Sequence, residues 1–128
     1  MNRFALLGPR ARALAAGLAL AAVACAAPAQ TTVRIGMITD RVGPAKPYAE
    51  PVAVGAAFAV KQLNAQGGIL GRQIELLTED DQGRPDVSAT AARKLVDQGA
   101  AFILSVSLTP ATQQAQSVTR ETRTPHMT

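Results

Sequence analysis

Short apolar runs alternate with longer amphipathic segments from residue 32 onward, so the hydrophobic period changes repeatedly along the chain. The short runs are rich in β-branched and other apolar residues, and they are bounded by polar or glycine-containing turns, which is typical of strands. This pattern predicts three strands, over Thr32–Ile38, Gln73–Thr78 and Ala101–Ser105.

Between and after these strands, apolar residues recur at helical spacing. The first helix is predicted over Pro51–Gln66, and the second begins at Pro85, which suits the first turn of a helix. The third is predicted over Thr109–Arg123. Glycines end the first two helices and a Thr-Pro pair stops the third, so the predicted order is β-α-β-α-β-α.

Strands that alternate with helices of this length need crossover connections, which join parallel strands. We therefore expect an α/β fold with a mainly parallel sheet and helices on both faces, corresponding to part of a doubly wound unit. The length of 128 residues allows one small domain but hardly two.

The first 29 residues follow another pattern and are interpreted as a signal peptide. Residues 1–12 carry three arginines and no acidic residue, and the uncharged Ala/Leu/Val run over 13–24 is too short to span a bilayer comfortably. Small residues at Ala27 and Ala29 fit a signal peptidase, which makes Gln30 the first residue of an exported, periplasmic chain, 30–128. Two alternatives stay open: a weak lipobox that would give Cys25 a lipid anchor, and a buried apolar helix.

Charge and cysteine content exclude several function classes. The net charge is +4, but without the leader arginines ten basic residues face nine acidic ones, a balance of about +1. The basic residues near the C-terminus lack aromatic neighbours, so nucleic acid is not an expected partner. Cys25 is the only cysteine, which excludes a disulfide, a thiol nucleophile and a cysteine metal site in the exported chain.

Ligands of open parallel sheets bind beyond the carboxyl ends of the strands. This rule selects the segments Thr39–Tyr48, Glu79–Arg84 and Ser105–Thr112. The third is the most informative, because Thr109 and Pro110 are typical of a hydroxyl N-cap followed by proline at the first helical position.

We expect the N–H groups of Ala111 and Thr112 to point out of this helix end, where a carboxylate would be stabilised. The Thr109 hydroxyl can accept from the helix and donate to a ligand, so capping and binding are compatible roles. Capping alone is the alternative.

The stretch NAQGGILGRQIELLTEDDQGRPDVSATAARKLVDQGAAFI, residues 64–103, resembles the solute-binding proteins of ABC transporters of the branched-chain amino acid type. In that family a helix ending in Asn-x-x-Gly-Gly-Ile precedes Gly-Arg, an apolar strand, a polar Asp-containing loop and a helix with Ala-Arg-Lys-Leu. The resemblance extends back to Ile35–Asp40 with Gly43-Pro44, and forward to Thr124–His126.

The resemblance implies a type I periplasmic binding protein, in which two α/β lobes close on a small solute and deliver it to an ABC permease without chemistry or a cofactor. This chain would form the N-terminal part of the first lobe, without the second. The family holds the solute's carboxylate with a hydroxyl residue at the start of the third helix, where Thr109 matches, with Ser107 as the nearby alternate. The chain departs from the family at Ser105–Leu108, which replaces a glycine-containing run, and at Pro110, which removes a donor.

The other polar residues give weaker signals. Tyr48 either contacts the solute or packs a proline-rich loop. Glu79–Asp81 is expected to be a solvated loop and not a metal site, because adjacent carboxylates diverge. His126, the only histidine, receives no role.

Two further function classes stay open beside solute transport. A ligand sensor could use the same lobe with a partner protein in place of a permease. An enzyme on a Rossmann-like sheet ranks last, because Thr39–Pro44 follows the first strand where a dinucleotide site needs Gly-x-Gly-x-x-Gly.

Overall fold

The computed structural model describes residues 32–128, so the interpreted signal peptide, its cleavage site and Cys25 lie outside the described residues. The described chain runs β1 (Val33–Thr39), α1 (Lys46–Ala65), β2 (Ile74–Asp80), α2 (Pro85–Asp97), β3 (Phe102–Val106), α3 (Thr109–Glu121) and β4 (His126–Met127). This alternation confirms the α/β prediction. Within residues 32–128, none of the helices combines the length and the apolar character that a membrane crossing requires.

The strands form one parallel sheet in the order β2-β1-β3-β4. The helices α2 and α3 pack against each other and share a core with β1 and β3, made of Ile38, Ala91, Ala92, Leu95, Ala100, Ile103, Ala115 and Val118. Met37 is also fully buried, and it faces the opposite side of the sheet, where α1 contacts the strands. The predicted parallel sheet with helices on both faces is therefore confirmed.

Several boundaries differ from the prediction. The helix α1 begins at Lys46 and not at Pro51, because Pro47 already occupies the first turn, where a missing N–H leaves no bond unmade. Pro51 lies inside the helix and removes one of its hydrogen bonds. The strand β2 continues to Asp80, so Glu79 and Asp80 belong to a strand.

The end of the chain also differs. The helix α3 ends at Glu121, before the predicted Arg123, which adopts a left-handed φ of 54°. After it, His126–Met127 adds a short fourth strand beside β3 that the sequence pattern did not predict. Two residues are too few to display a strand period, so this pairing has no signature in the hydrophobic pattern.

The Asn-x-x-Gly-Gly motif has a clear structural role at the turn from α1 to β2. The Asn64 side chain bonds both backbone groups of Ile74, donating to its carbonyl and accepting from its N–H over 2.8 Å each. Gly68 has a φ of +78°, and a Cβ there would collide with the backbone carbonyl of Arg72. The motif therefore fixes the entry of β2 into the sheet.

Candidate functional site

The topology defines one edge of the sheet as the place for a ligand. The chain leaves β1 toward β2 on one side and leaves β3 toward β4 on the other, although β1 and β3 are neighbours. Such a reversal opens a crevice beyond the carboxyl ends of the two strands. The segments that follow Thr39 and Val106 border this crevice.

An open groove of about 670 Å³ lies at the end of β3. Its lining combines apolar and polar side chains from α1, β3, α3 and the chain end: Val52, Leu104, Ser105, Val106, Ser107, Thr109, Thr112, Gln113, Gln116, Met127 and Thr128. Three predicted binding residues, Ser107, Thr109 and Thr112, therefore share one surface.

The predicted N-cap role of Thr109 is wrong. Leu108 occupies the N-cap position with extended backbone angles, Thr109 is the first residue of α3, and no side chain caps this helix. Pro110 follows within the first turn, where its missing N–H leaves no helical bond unmade. The exposed Thr109 hydroxyl consequently has no hydrogen-bond partner among the described residues.

The predicted backbone donors also need correction. The N–H of Thr112 donates to the Leu108 carbonyl over 2.9 Å, so it closes the first turn of the helix and is not free. Ala111 is fully buried beneath the helix end, so its N–H is not presented to the groove. The groups that remain for a ligand are side-chain hydroxyls and the N–H of Thr109.

Ser107 is tied to the loop after β2. Its Oγ donates a hydrogen bond to Oδ1 of Asp81 over 2.9 Å. This contact joins the β2–α2 and β3–α3 connections, which are 26 residues apart in the chain. Ser107 therefore has a fixed orientation in the groove.

The solvated acidic loop expected at Glu79–Asp81 is also wrong. Asp81 is fully buried, as is Asp40 after β1, and Asp80 lies close enough that one carboxylate oxygen of each falls within 4.8 Å of the others. The carboxylates of Asp80, the last residue of β2, and of the buried Asp81 therefore converge with that of Asp40.

These carboxylates accept hydrogen bonds from the backbone of the surrounding loops. The donors are the N–H groups of Gly43 and Ala45 to Asp40, of Arg41 and Gln82 to Asp80, and of Gly83 to Asp81. The cluster thus organises the loops around the crevice.

Tyr48 lies apart from the groove residues. It is 77% exposed in the first turn of α1, one helical turn before Val52, which does line the groove. The structure therefore brings Ser107, Thr109 and Thr112 together and leaves Tyr48 outside their surface.

His126 takes part in a side-chain network that the sequence pattern did not predict. Its Nε2 lies 2.7 Å from the Ser105 Oγ, and its Nδ1 lies 3.2 Å from the Thr119 Oγ1. Burial lowers the pKa of His126 below its ordinary value of 6.5. Because Ser105 is buried and the Nδ1 partner is a hydroxyl, this network joins β3, β4 and α3 and is not arranged as a Ser-His-Asp triad.

The fold and the groove define an α/β lobe that presents hydroxyl groups at a topological switch point, as ligand-binding lobes do. The comparison with protein families agrees, since the family model described as "Periplasmic binding protein" matches residues 32–128. The chain belongs to this family.

Curated relatives are branched-chain amino acid-binding proteins. The chain is 38% identical over 85 residues to the Leu/Ile/Val-binding protein BraC3 of Rhizobium johnstonii, covering 66% of this chain and 23% of the relative. It is 30% identical over 105 residues to the leucine-, isoleucine-, valine-, threonine- and alanine-binding protein of Pseudomonas aeruginosa, covering 82% of this chain and 28% of the relative. The chain thus spans about a quarter of the length of these relatives.

Solved structures of type I periplasmic binding proteins share the fold. The branched-chain amino acid transporter substrate-binding protein LivJ of Streptococcus pneumoniae, solved with isoleucine, superposes with a TM-score of 0.71 at 28% identity, over 75% of this chain and 28% of that one. A solute-binding protein of Rhodopseudomonas palustris, solved with 3,4-dihydroxybenzoic acid, superposes with a TM-score of 0.63 at 22% identity, over 74% of this chain and 26% of that one. The second likeness shows the fold alone.

Proposed function

We propose that this chain is the N-terminal part of the first lobe of an exported solute-binding protein. The whole protein would bind a small carboxylate-bearing solute, an amino acid of the branched-chain class, and deliver it to an ABC permease. The chain performs no chemistry in this proposal, because binding and release alone transfer the solute.

The observation that carries the proposal is the uncapped start of α3 at the groove. The hydroxyls of Thr109 and Thr112 have no partner among residues 32–128, and both residues line the groove. The positive end of the helix dipole lies at the same place. A carboxylate fits this position, since it accepts hydrogen bonds from hydroxyl and N–H groups and its negative charge is stabilised by the helix dipole.

The apolar part of the groove supports an aliphatic solute. Val52, Leu104 and Val106 line the same groove as the hydroxyls, so a branched side chain would have an apolar surface to cover. The relatives' names point to the same class, leucine, isoleucine and valine.

The groove is open to solvent, and a binding protein that retains its solute has to exclude water from it. We therefore propose a second lobe, joined to this one by hinge strands, that covers the solute. Residues 1–29 would direct export, and the membrane would be contacted through the permease, or through a lipid anchor if Cys25 is processed.

Calorimetric titration tests this proposal on the complete, processed protein that includes the second lobe. Leucine, isoleucine and valine are expected to bind with micromolar or tighter affinity, while glutamate and lysine, whose charged chains cannot cover the apolar surface, should bind much more weakly. Absence of binding by all three branched-chain amino acids would reject the proposed solute class.

A further inference from the structure

Three aspartates bring carboxylate oxygens together where β1 and β2 end. One oxygen each of Asp40, Asp80 and Asp81 lies within 4.8 Å of the others, and Asp40 and Asp81 are fully buried. None of the three forms an ion pair with a lysine or arginine of residues 32–128. Buried acids in such an arrangement need a positive group, which a bound cation or a shared proton can supply.

The hydrogen bonds of this cluster leave one buried oxygen without a partner. Asp81 uses its Oδ1 to accept from the N–H of Gly83 over 3.0 Å and from the hydroxyl of Ser107 over 2.9 Å. Its Oδ2 is buried and accepts no hydrogen bond from the described residues. Buried acceptors in folded proteins are nearly always paired with a donor, a water or an ion, so Oδ2 points to a ligand that residues 32–128 do not supply.

Two further oxygens lie beside the carboxylates. Thr39 is aligned with Asp80 across the β1–β2 pair, so their side chains share one face of the sheet, and the Thr39 Oγ1 is likewise buried without a partner. The carbonyl oxygen of Gln82 meets the Asp40 carboxylate at Gly43, where an added Cβ would lie 2.5 Å from the carbonyl and 2.7 Å from each carboxylate oxygen. The oxygens gathered here thus include carboxylate, hydroxyl and carbonyl groups.

An oxygen set with three carboxylates is typical of sites for hard divalent cations. Calcium accepts six to eight oxygens at about 2.3 to 2.6 Å in irregular geometry, so two of its ligands can lie nearly 5 Å apart. Magnesium requires a near-ideal octahedron at about 2.0 to 2.1 Å, which brings its ligands closer together. Separations of up to 4.8 Å between the carboxylate oxygens therefore fit calcium better.

We propose that Asp40, Asp80 and Asp81 form a calcium site that joins the connections after β1 and β2. Because Asp81 also accepts from Ser107, the cation stabilises the β3–α3 connection through that carboxylate. Binding of the cation displaces any proton that the carboxylates share. The role of the site is structural, and it does not depend on which solute the protein binds.

Thermal melting tests the proposal on the complete, processed protein, first freed of metal with a chelator and then titrated with calcium chloride in the absence of solute. The melting temperature should rise with calcium concentration, because the cation binds the folded state. The dissociation constant is expected on the order of 10⁻⁴ to 10⁻³ M, the range of extracellular calcium modules. Magnesium chloride at the same concentrations should raise the melting temperature less.

Variants assign the effect to this cluster. Asp81→Asn keeps the size of the side chain but removes one charged ligand, so it should lower the calcium affinity about tenfold or more. Asp80→Asn should do the same at a less buried position, which keeps the test valid if the first variant folds poorly. Asp86→Asn is the matched control and should respond to calcium like the unmodified protein, since Asp86 is exposed and pairs with Arg84.

Two results would overturn the proposal. A melting temperature that does not change with calcium up to about 10 mM, ten times the upper end of that range, would leave a shared proton as the partner of these carboxylates. An equal calcium response in the unmodified protein and in both aspartate variants would place the calcium elsewhere in the complete protein. Neither result bears on the proposed solute class, because the measurement is made without solute.

Discussion

Replacing Thr109 by alanine separates a structural role at the start of α3 from a role in binding. The Thr109 hydroxyl caps no helix and has no partner among the described residues, and its side chain is exposed in the groove. Thr109→Ala therefore removes a group on which the fold without solute does not depend. If the hydroxyl donates to a solute carboxylate, the loss appears in binding alone.

The magnitudes of the two roles differ enough to be resolved. Removing a working N-cap costs about 1 kcal/mol of stability, whereas exposed positions without special contacts change stability by about 0.5 kcal/mol or less. A lost hydrogen bond to a charged carboxylate costs roughly 1.5 to 3 kcal/mol of affinity. Since about 1.4 kcal/mol is a factor of ten, leucine affinity should fall about ten- to a hundredfold.

Calorimetric titration with leucine and thermal unfolding without it measure the two quantities on the same preparation of the complete protein. Thr109→Ser serves as the control, because it keeps the hydroxyl and should bind nearly as well as the unmodified protein. Unchanged affinity in Thr109→Ala together with a lower melting temperature would refute the reasoning, since it would assign the hydroxyl to the helix after all.

Three further predictions concern stability and processing. Because burial lowers the pKa of His126, the stability that its neutral form contributes is fully present above about pH 6.5 and is lost as the pH falls through the lower folded-state pKa. In the His126→Gln variant, the melting temperature should therefore vary less with pH over that window. Gly68→Ala should lower the free energy of unfolding by about 2 kcal/mol or more in denaturant titrations, because the new Cβ adds a backbone collision to the strain of a positive φ. Gly71→Ala is the control, since Gly71 has nearly the same φ of +75° but open space around it, and it should cost about 1 to 2 kcal/mol. Equal losses in the two variants would contradict the collision argument. In a Gram-negative host, mass spectrometry should find a periplasmic chain beginning at Gln30; a diacylated Cys25 would instead establish the lipoprotein alternative.

The first three strands and the three helices could be predicted because each carries a local signal, which the two-residue strand β4 does not. The apolar runs around Ile38, Leu76 and Ile103 and the helical stripe around Leu95 all reappear as strands and a helix. Their ends were less accurate, since proline is accepted at several positions of a first turn: Pro51 suggested a start that Pro47 provides. Pairing with a neighbouring strand extends β2 to Asp80, and that information is not local.

The positions of the candidate residues at the strand ends could be predicted, whereas their contacts could not. The rule for parallel sheets located Ser107 and Thr109 correctly at the strand ends, because it depends only on the order of elements. The bond between Ser107 and Asp81 depends on how two loops 26 residues apart meet, and the contact of His126 with Ser105 depends on the pairing of a two-residue strand. Neither contact leaves a trace in hydrophobic periodicity.

The absence of a side-chain cap on α3 connects the stability of the lobe with its proposed function. Leu108 at the N-cap offers no oxygen to the helix, although a serine or threonine there would stabilise it by about 1 kcal/mol. A capping hydroxyl would also occupy the helix end that a carboxylate is proposed to use. The carboxylates of Asp40 and Asp81 hold the neighbouring loops in place by bonding their backbones, so the crevice keeps its shape while the start of α3 stays open to a solute.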